Sequence, residues 1–167
     1  MVEEEIQINK IFDSDFSEKY DIGLEEFILV FLRSFENDMI KGKTRFQKLI
    51  YLINKEHKIF NELNYYRYYY GPYSDALEDA LRNLRINRLI DERTTYFDDT
   101  GLNFQIDLKL SEKGIQKAEE IKQKLGEKFG PLEKIIETTI KENNFHSMPL
   151  KKLLKIVYEK AGYSKRI

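Results

Sequence analysis

Few residues in this chain suit bond-making chemistry. Histidine occurs twice, at His57 and His146, far apart and without spaced partners. There is no cysteine, which removes thiolate zinc sites, cysteine nucleophiles and disulfides. Adjacent carboxylates occur at Asp91-Glu92 and Asp98-Asp99. The second pair falls in a predicted turn, where Asp is favoured by its own hydrogen bonding to the backbone. No HExxH, glycine-rich phosphate loop, GxGxxG or serine-centred elbow is found. These residues predict a non-enzymatic protein with no cofactor, no metal and no indicated small-molecule substrate.

The chain is richer in recognition chemistry. Asn64-Tyr-Tyr-Arg-Tyr-Tyr-Tyr-Gly-Pro-Tyr-Ser74 holds six tyrosines, one arginine and a Gly-Pro break in eleven positions. Tyrosine pairs an apolar ring with a polar tip, so it serves core packing, protein interfaces and stacking on nucleic-acid bases. Read as a strand, the stretch puts Tyr66, Tyr68 and Tyr70 on one side and Tyr65, Arg67 and Tyr69 on the other. The side of Tyr66, Tyr68 and Tyr70 is then expected to join the core. Tyr65, Tyr66, Arg67 and Tyr69 are the candidate partner-binding residues. Lys41, Lys43, Arg45, Lys48, Arg82, Arg85, Arg88 and Arg93 are the candidate phosphate contacts to double-stranded DNA. Asp75, Glu78 and Asp79 oppose that use, because carboxylates repel phosphate.

Local pattern shows which elements carry these residues. Leu24, Phe27, Ile28, Phe31, Leu32 and Phe35 have helical spacing and predict a helix over 24–40. Phe46, Leu49, Ile50 and Ile53 predict a second over 43–55, with Thr44 as a cap. The tyrosine stretch is predicted to be extended and to stop at Gly71-Pro72. Ser74 is the expected N-cap of a third helix over 74–88, with Leu77, Ala80, Leu81 and Leu84 inward. Residues 89–97 and 102–110 read as a β-hairpin around Asp98-Asp-Thr-Gly101; Leu102, Phe104, Ile106, Leu108 and Leu110 alternate onto one face. Ser111 caps the next helix. Gly130-Pro131 opens another, and a last one runs from Pro149 to Gly162, burying Leu150, Leu153, Leu154 and Val157.

Helix, helix, short strand, helix, hairpin is the order of a winged helix-turn-helix. The predicted fold is therefore α+β and mostly helical, a winged helix with additional C-terminal helices. The tyrosine strand would pair with the hairpin into a three-stranded sheet. The chain divides into an acidic arm (1–23), a winged-helix domain (24–125) and a C-terminal helical extension (126–167). Residues 1–40 carry 3 basic and 11 acidic side chains, whereas 41–70 carry 7 and 2 and 145–167 carry 6 and 1. The basic segments either form a positive face or are cancelled by the acidic arm. No apolar run nears the ~18 residues of a membrane span, and the cysteine-free composition points to a cytoplasmic protein.

Lys48-Leu-Ile-Tyr51, Tyr70-Gly-Pro-Tyr-Ser74, Leu84 and Leu89-Ile90 together resemble the signature of the SocA-like (Panacea) domain, over about 24–125. The resemblance implies a winged-helix-related fold used as the antitoxin or adaptor half of a protein pair. The long hairpin and the C-terminal helices depart from that family's pattern. Two functions stand from the sequence: a DNA-binding transcriptional regulator, and a protein-interaction module that binds a partner or a second copy of itself.

Overall fold

The computed structural model describes residues 20–163. Expectations for the strand or docked arm at Ile6 and Ile8 lie outside the described residues. The architecture is α+β, predominantly helical, with small antiparallel sheets. Helix α1 (Leu24–Arg33) is its centre. Phe27, Ile28, Leu29, Val30, Phe31 and Leu32 are all buried, because α1 packs on several elements rather than one. Phe31 makes edge contacts with Phe35 at 4.9 Å and Phe46 at 5.8 Å between ring centroids.

Helix α1 is shorter than its apolar pattern predicts. Ser34 turns its hydroxyl back onto the Val30 carbonyl at 2.8 Å. Asn37 and Asp38 then take positive φ, 60° and 54°, conformations that Asn and Asp tolerate best among side-chain-bearing residues. The reversal delivers strand β1 (Met39–Ile40) to the edge of β5 (Phe104–Leu110), pairing Met39 with Lys109 and Ile40 with Leu108. β5 pairs on its other edge with β4 (Ile90–Tyr96), so the sheet runs β1-β5-β4. The third strand of this sheet is thus Met39–Ile40, and not the tyrosine stretch.

Helix α2 (Lys43–His57) begins after Gly42, at φ 94°, rather than with a Thr44 cap. The tyrosine stretch forms a hairpin of its own. Strand β2 (Tyr66–Tyr68) pairs with β3 (Gly71–Tyr73), setting Tyr66 opposite Tyr73 and Arg67 opposite Pro72. Gly71-Pro72 therefore lies inside a strand instead of ending one. Pro72 is tolerated there because a two-stranded hairpin has free edges that need no N–H. Helix α3 (Asp75–Ile86) follows with Leu77, Ala80, Leu81 and Leu84 buried, as its spacing requires.

The β4–β5 hairpin keeps the expected alternation but outruns the core. Leu108 and Leu110 are buried, while Phe104 and Leu102 stand in solvent. Helix α4 (Glu112–Leu125) starts at Ser111, whose Oγ accepts from the Gly114 N–H at 3.0 Å. A Cβ at Gly114 would sit 1.9 Å from the Leu89 carbonyl oxygen, so only glycine permits this junction. Helix α5 (Phe129–Ile136) runs on through a π turn, Glu137–Lys141. Helix α6 (Leu150–Ala161) buries Leu153, Leu154 and Val157 against the body and ends at Gly162 in left-handed conformation. Leu150, expected inside, is partly exposed. No helix among the described residues is long and apolar enough to cross a membrane.

Candidate functional site

The tyrosine hairpin is held from beneath by α2, α3 and α6. Gln47 on α2 grips the residue after the hairpin at both polar atoms. Its Nε2 donates to the Ser74 carbonyl and its Oε1 accepts from the Ser74 N–H, each at 3.0 Å. The Ser74 hydroxyl donates to the Leu63 carbonyl at 2.5 Å and accepts the Leu77 N–H at 3.2 Å, so it caps α3 as expected. Lys48, one position after Gln47, donates from Nζ to the Pro72 carbonyl at 2.9 Å. From the other side the Tyr158 hydroxyl donates to the Tyr69 carbonyl at 3.4 Å. Arg67 lies over the rings of Tyr163 and Tyr158, 5.0 and 5.9 Å from their centroids.

With its backbone tied inward, the hairpin turns its rings outward. Tyr66, Tyr68, Tyr69 and Tyr70 are 41%, 48%, 80% and 59% exposed. They pack mainly on one another: Tyr68 contacts Tyr69 at 4.7 Å and Tyr73 at 5.1 Å between centroids. Tyr66 also donates to Asp75 Oδ1 at 3.0 Å. The expectation that Tyr66, Tyr68 and Tyr70 line the core is overturned. Among the described residues no second layer lies above this two-stranded ribbon of three residues a side to cover them. Tyr65 is corrected in the opposite sense. Its ring sits edge-on to Tyr51 at 5.0 Å, its hydroxyl is buried, and burial drives its phenol well above the ordinary range. It supports the hairpin and is not part of the exposed face.

Two adjoining cavities extend this surface. One of about 250 Å³ lies between α2 and the hairpin, lined in part by Gln47, Lys48, Tyr68, Tyr70 and Tyr73. The other, about 520 Å³, runs from the start of α2 to the overhanging β4–β5 hairpin, past Lys41, Arg45, Phe97, Phe104 and Leu150. Tyr70 lines both. The result is an aromatic surface edged by cations, with Tyr73, whose phenol is pushed up to about 12 by burial and then by Glu78, at its base.

The candidate phosphate contacts are dispersed and largely engaged. Lys43 pairs with Glu78 at 2.5 Å and Glu92 at 3.1 Å. Arg82 pairs with Asp79 at 3.1 Å and Arg85 with Glu92 at 2.9 Å. Arg45 is half-buried, donates to the Phe145 carbonyl at 3.0 Å, and has its pKa lowered by burial. Lys48 must be withdrawn from the set: it is 2% exposed, so no phosphate of a duplex reaches it. Lys41, Arg88 and Arg93 are exposed and lack an ion pair among the described residues. His57 contacts Thr139 at 3.2 Å, and His146 packs on Phe35 at 5.3 Å. Among the described residues no group of three or more metal-capable side chains occurs.

Sequence reasoning missed Gln47, Tyr68, Tyr70, Tyr73 and Tyr158 as members of this surface. A polar Gln-Lys pair between Phe46 and the apolar run from Leu49 to Ile53 was the available signal for Gln47 and Lys48. Nothing local marks Tyr158, which meets the hairpin from 89 positions away. No protein-family model matches the chain, and no match to a curated protein is found.

Proposed function

We propose that this chain is a winged-helix protein that works as a protein-interaction module, in the manner of the SocA-like adaptors it resembles, through its tyrosine hairpin and the adjoining groove. The exposed tyrosine cluster of β2–β3 carries this reading. Tyrosine gives large amphipathic contact area at small conformational cost, and aromatic residues and arginine are enriched where protein interfaces form. Lys41, Arg45 and Arg67 border the rings, so the partner is a protein segment with apolar and acidic side chains. The winged-helix part of the reading is supported by the chain order α1, β1, α2, α3, β4, β5, with the β2–β3 hairpin inserted between α2 and α3, and by the sheet order β1-β5-β4.

The fold's common use, DNA binding, is supported by Lys41, Arg88 and Arg93, exposed cations with no ion pair among the described residues. It is opposed by α3, the helix that would enter the groove. The outer face of α3 starts with Asp75 and Asp79, and its arginines are matched to carboxylates of the same chain.

The test is affinity purification of wild type beside a Tyr66→Ala, Tyr69→Ala, Tyr70→Ala triple variant and an Arg82→Gln, Arg85→Gln variant. A stoichiometric partner is expected with wild type and the arginine variant and lost from the tyrosine variant. A random duplex retarded by wild type at low salt, with retention abolished in the arginine variant, would reverse the preference.

A further inference from the structure

Lys48 is a buried cation whose charge is unmatched among the described residues. Its ammonium has three donor hydrogens, and the structure gives it one partner, the Pro72 carbonyl. Among the described residues no carboxylate lies within ion-pair distance of it. Glu78, on the wall of the same cavity, is already committed to Lys43 at 2.5 Å. Burying an ammonium without a counter-charge is costly, and proteins normally avoid it by pairing. Burial accordingly lowers the Lys48 amine to about 8, so it is still mostly protonated at neutral pH.

The cavity beside Lys48 has the shape and lining to supply the missing charge from outside. Its volume, about 250 Å³, falls below the ~300 Å³ at which small-molecule sites usually begin, a size suited to one side chain. Tyr68, Tyr70 and Tyr73 provide aromatic walls for an aliphatic stem, and such walls exclude water and so strengthen an ion pair within them.

We propose that this cavity is a carboxylate-binding subsite, in which an acidic side chain of the partner protein enters between Tyr68, Tyr70 and Tyr73 and pairs with the Lys48 ammonium. The assignment rests on the docking surface proposed above and specifies which partner residue anchors there. Lys48 then has two roles. It ties β3 to α2 through Pro72, and it presents the donors left over to the incoming acid.

The experiment is an NMR titration of the ¹⁵N-labelled full chain at neutral pH with two probes, N-acetyl-glutamate methylamide and its glutamine counterpart. The pair differs in charge and hardly in shape. The glutamate probe is expected to shift the amides of Gln47, Lys48, Gly71 and Tyr73 saturably. It should bind at least about tenfold tighter than the glutamine probe, a difference of about 1.4 kcal/mol. In Lys48→Met the preference for the acid should disappear. Equal response to both probes, no response, or glutamate shifts confined to Lys41 and Arg45 would overturn the assignment, as would an acid preference that survives in Lys48→Met. If Lys48→Met fails to fold, the wild-type comparison of acid with amide still decides. This difference tests the cavity alone, and partner loss in the tyrosine variant tests the docking surface alone, so either can fail without the other.

Discussion

The outer flank of α3 and the outer flank of the tyrosine hairpin are neighbouring surfaces with opposite economies. On α3 the chemistry is used up within the chain: Arg82 and Arg85 face Asp79 and Glu92, and Lys43 reaches across to Glu78. On the hairpin the polar backbone is satisfied from beneath while the rings meet mainly each other. A cation with a carboxylate at 3 Å has little left for a phosphate, since engaging a new partner means giving up the old one. An exposed ring keeps most of its apolar surface in water, and covering it remains favourable. The difference shows why a count of basic residues is a poor guide to a binding face.

The strongest way to break this contrast is to cut the hairpin's ties. Gln47→Ala leaves the buried Ser74 N–H without its acceptor and the Ser74 carbonyl with only the Glu78 N–H at 3.3 Å, and an unsatisfied buried polar group costs about 1–3 kcal/mol. A loss of roughly 2–3 kcal/mol is expected, read as a lower urea midpoint at unchanged slope. The tyrosine fluorescence of the hairpin should become less structured in the folded baseline.

Next in size is a pH effect that belongs to Lys48. Its folded pKa lies below the ordinary lysine value, so above about pH 8 the folded chain releases this proton while the unfolded chain keeps it. The unfolded state then binds more protons, and stability increases with pH. The penalty is fully present below pH 8 and relieved as pH climbs from there toward the ordinary lysine value. Urea titrations should show a gain of about 2 kcal/mol between pH 7 and 9.5, absent in Lys48→Met. Tyr65 and Tyr73 act in the reverse sense. Their phenols are raised on folding, so stability falls again above about pH 10, where unfolded tyrosine ionises. A flat wild-type profile up to pH 9.5 would show that the Lys48 amine is hydrated.

A smaller effect is expected on the α3 side. Asp79→Asn with Glu92→Gln frees Arg82 and Arg85, and such exposed pairs contribute about 0–1 kcal/mol of stability. Wild type should not retard random duplex at low salt. The double variant should do so weakly, with a salt slope of magnitude about 2, near 0.9 for each freed cation. Strong binding by wild type would erase the distinction between the two flanks. Least affected is the stability of Tyr69→Ala, expected to stay within about 0.5 kcal/mol of wild type, because the ring is largely in water. A larger loss would mean that the ring is structural.

Much of the helical framework was legible because its signals are local. Ser74 and Ser111 cap α3 and α4 at the expected positions, and Leu77, Ala80, Leu81 and Leu84 turn inward at helical spacing. The β4–β5 hairpin was legible from alternation alone. Strand β1 was not, because two residues show no period, and Met39, four positions after Phe35, continues a helical spacing. The candidate site divided in the same way. That the tyrosine stretch matters could be seen from its composition. That Tyr65 lies inside, and Tyr66, Tyr68 and Tyr70 outside, could not be, since strand parity says which side chains share a face and is silent about what covers it.

By itself the sequence determined most of the helices and the β4–β5 hairpin, their order, the absence of cysteine chemistry and the place where aromatic residues gather. These follow from side-chain type and spacing within a turn or two of chain. Only the tertiary structure decided which cations are available and which rings are free. Those depend on partners brought together across the fold: Lys43 to Glu78, Arg45 to Phe145, Lys48 to Pro72, Tyr158 to Tyr69. The availability of a charge or a ring is a property of its surroundings, and those surroundings exist only once the chain has packed.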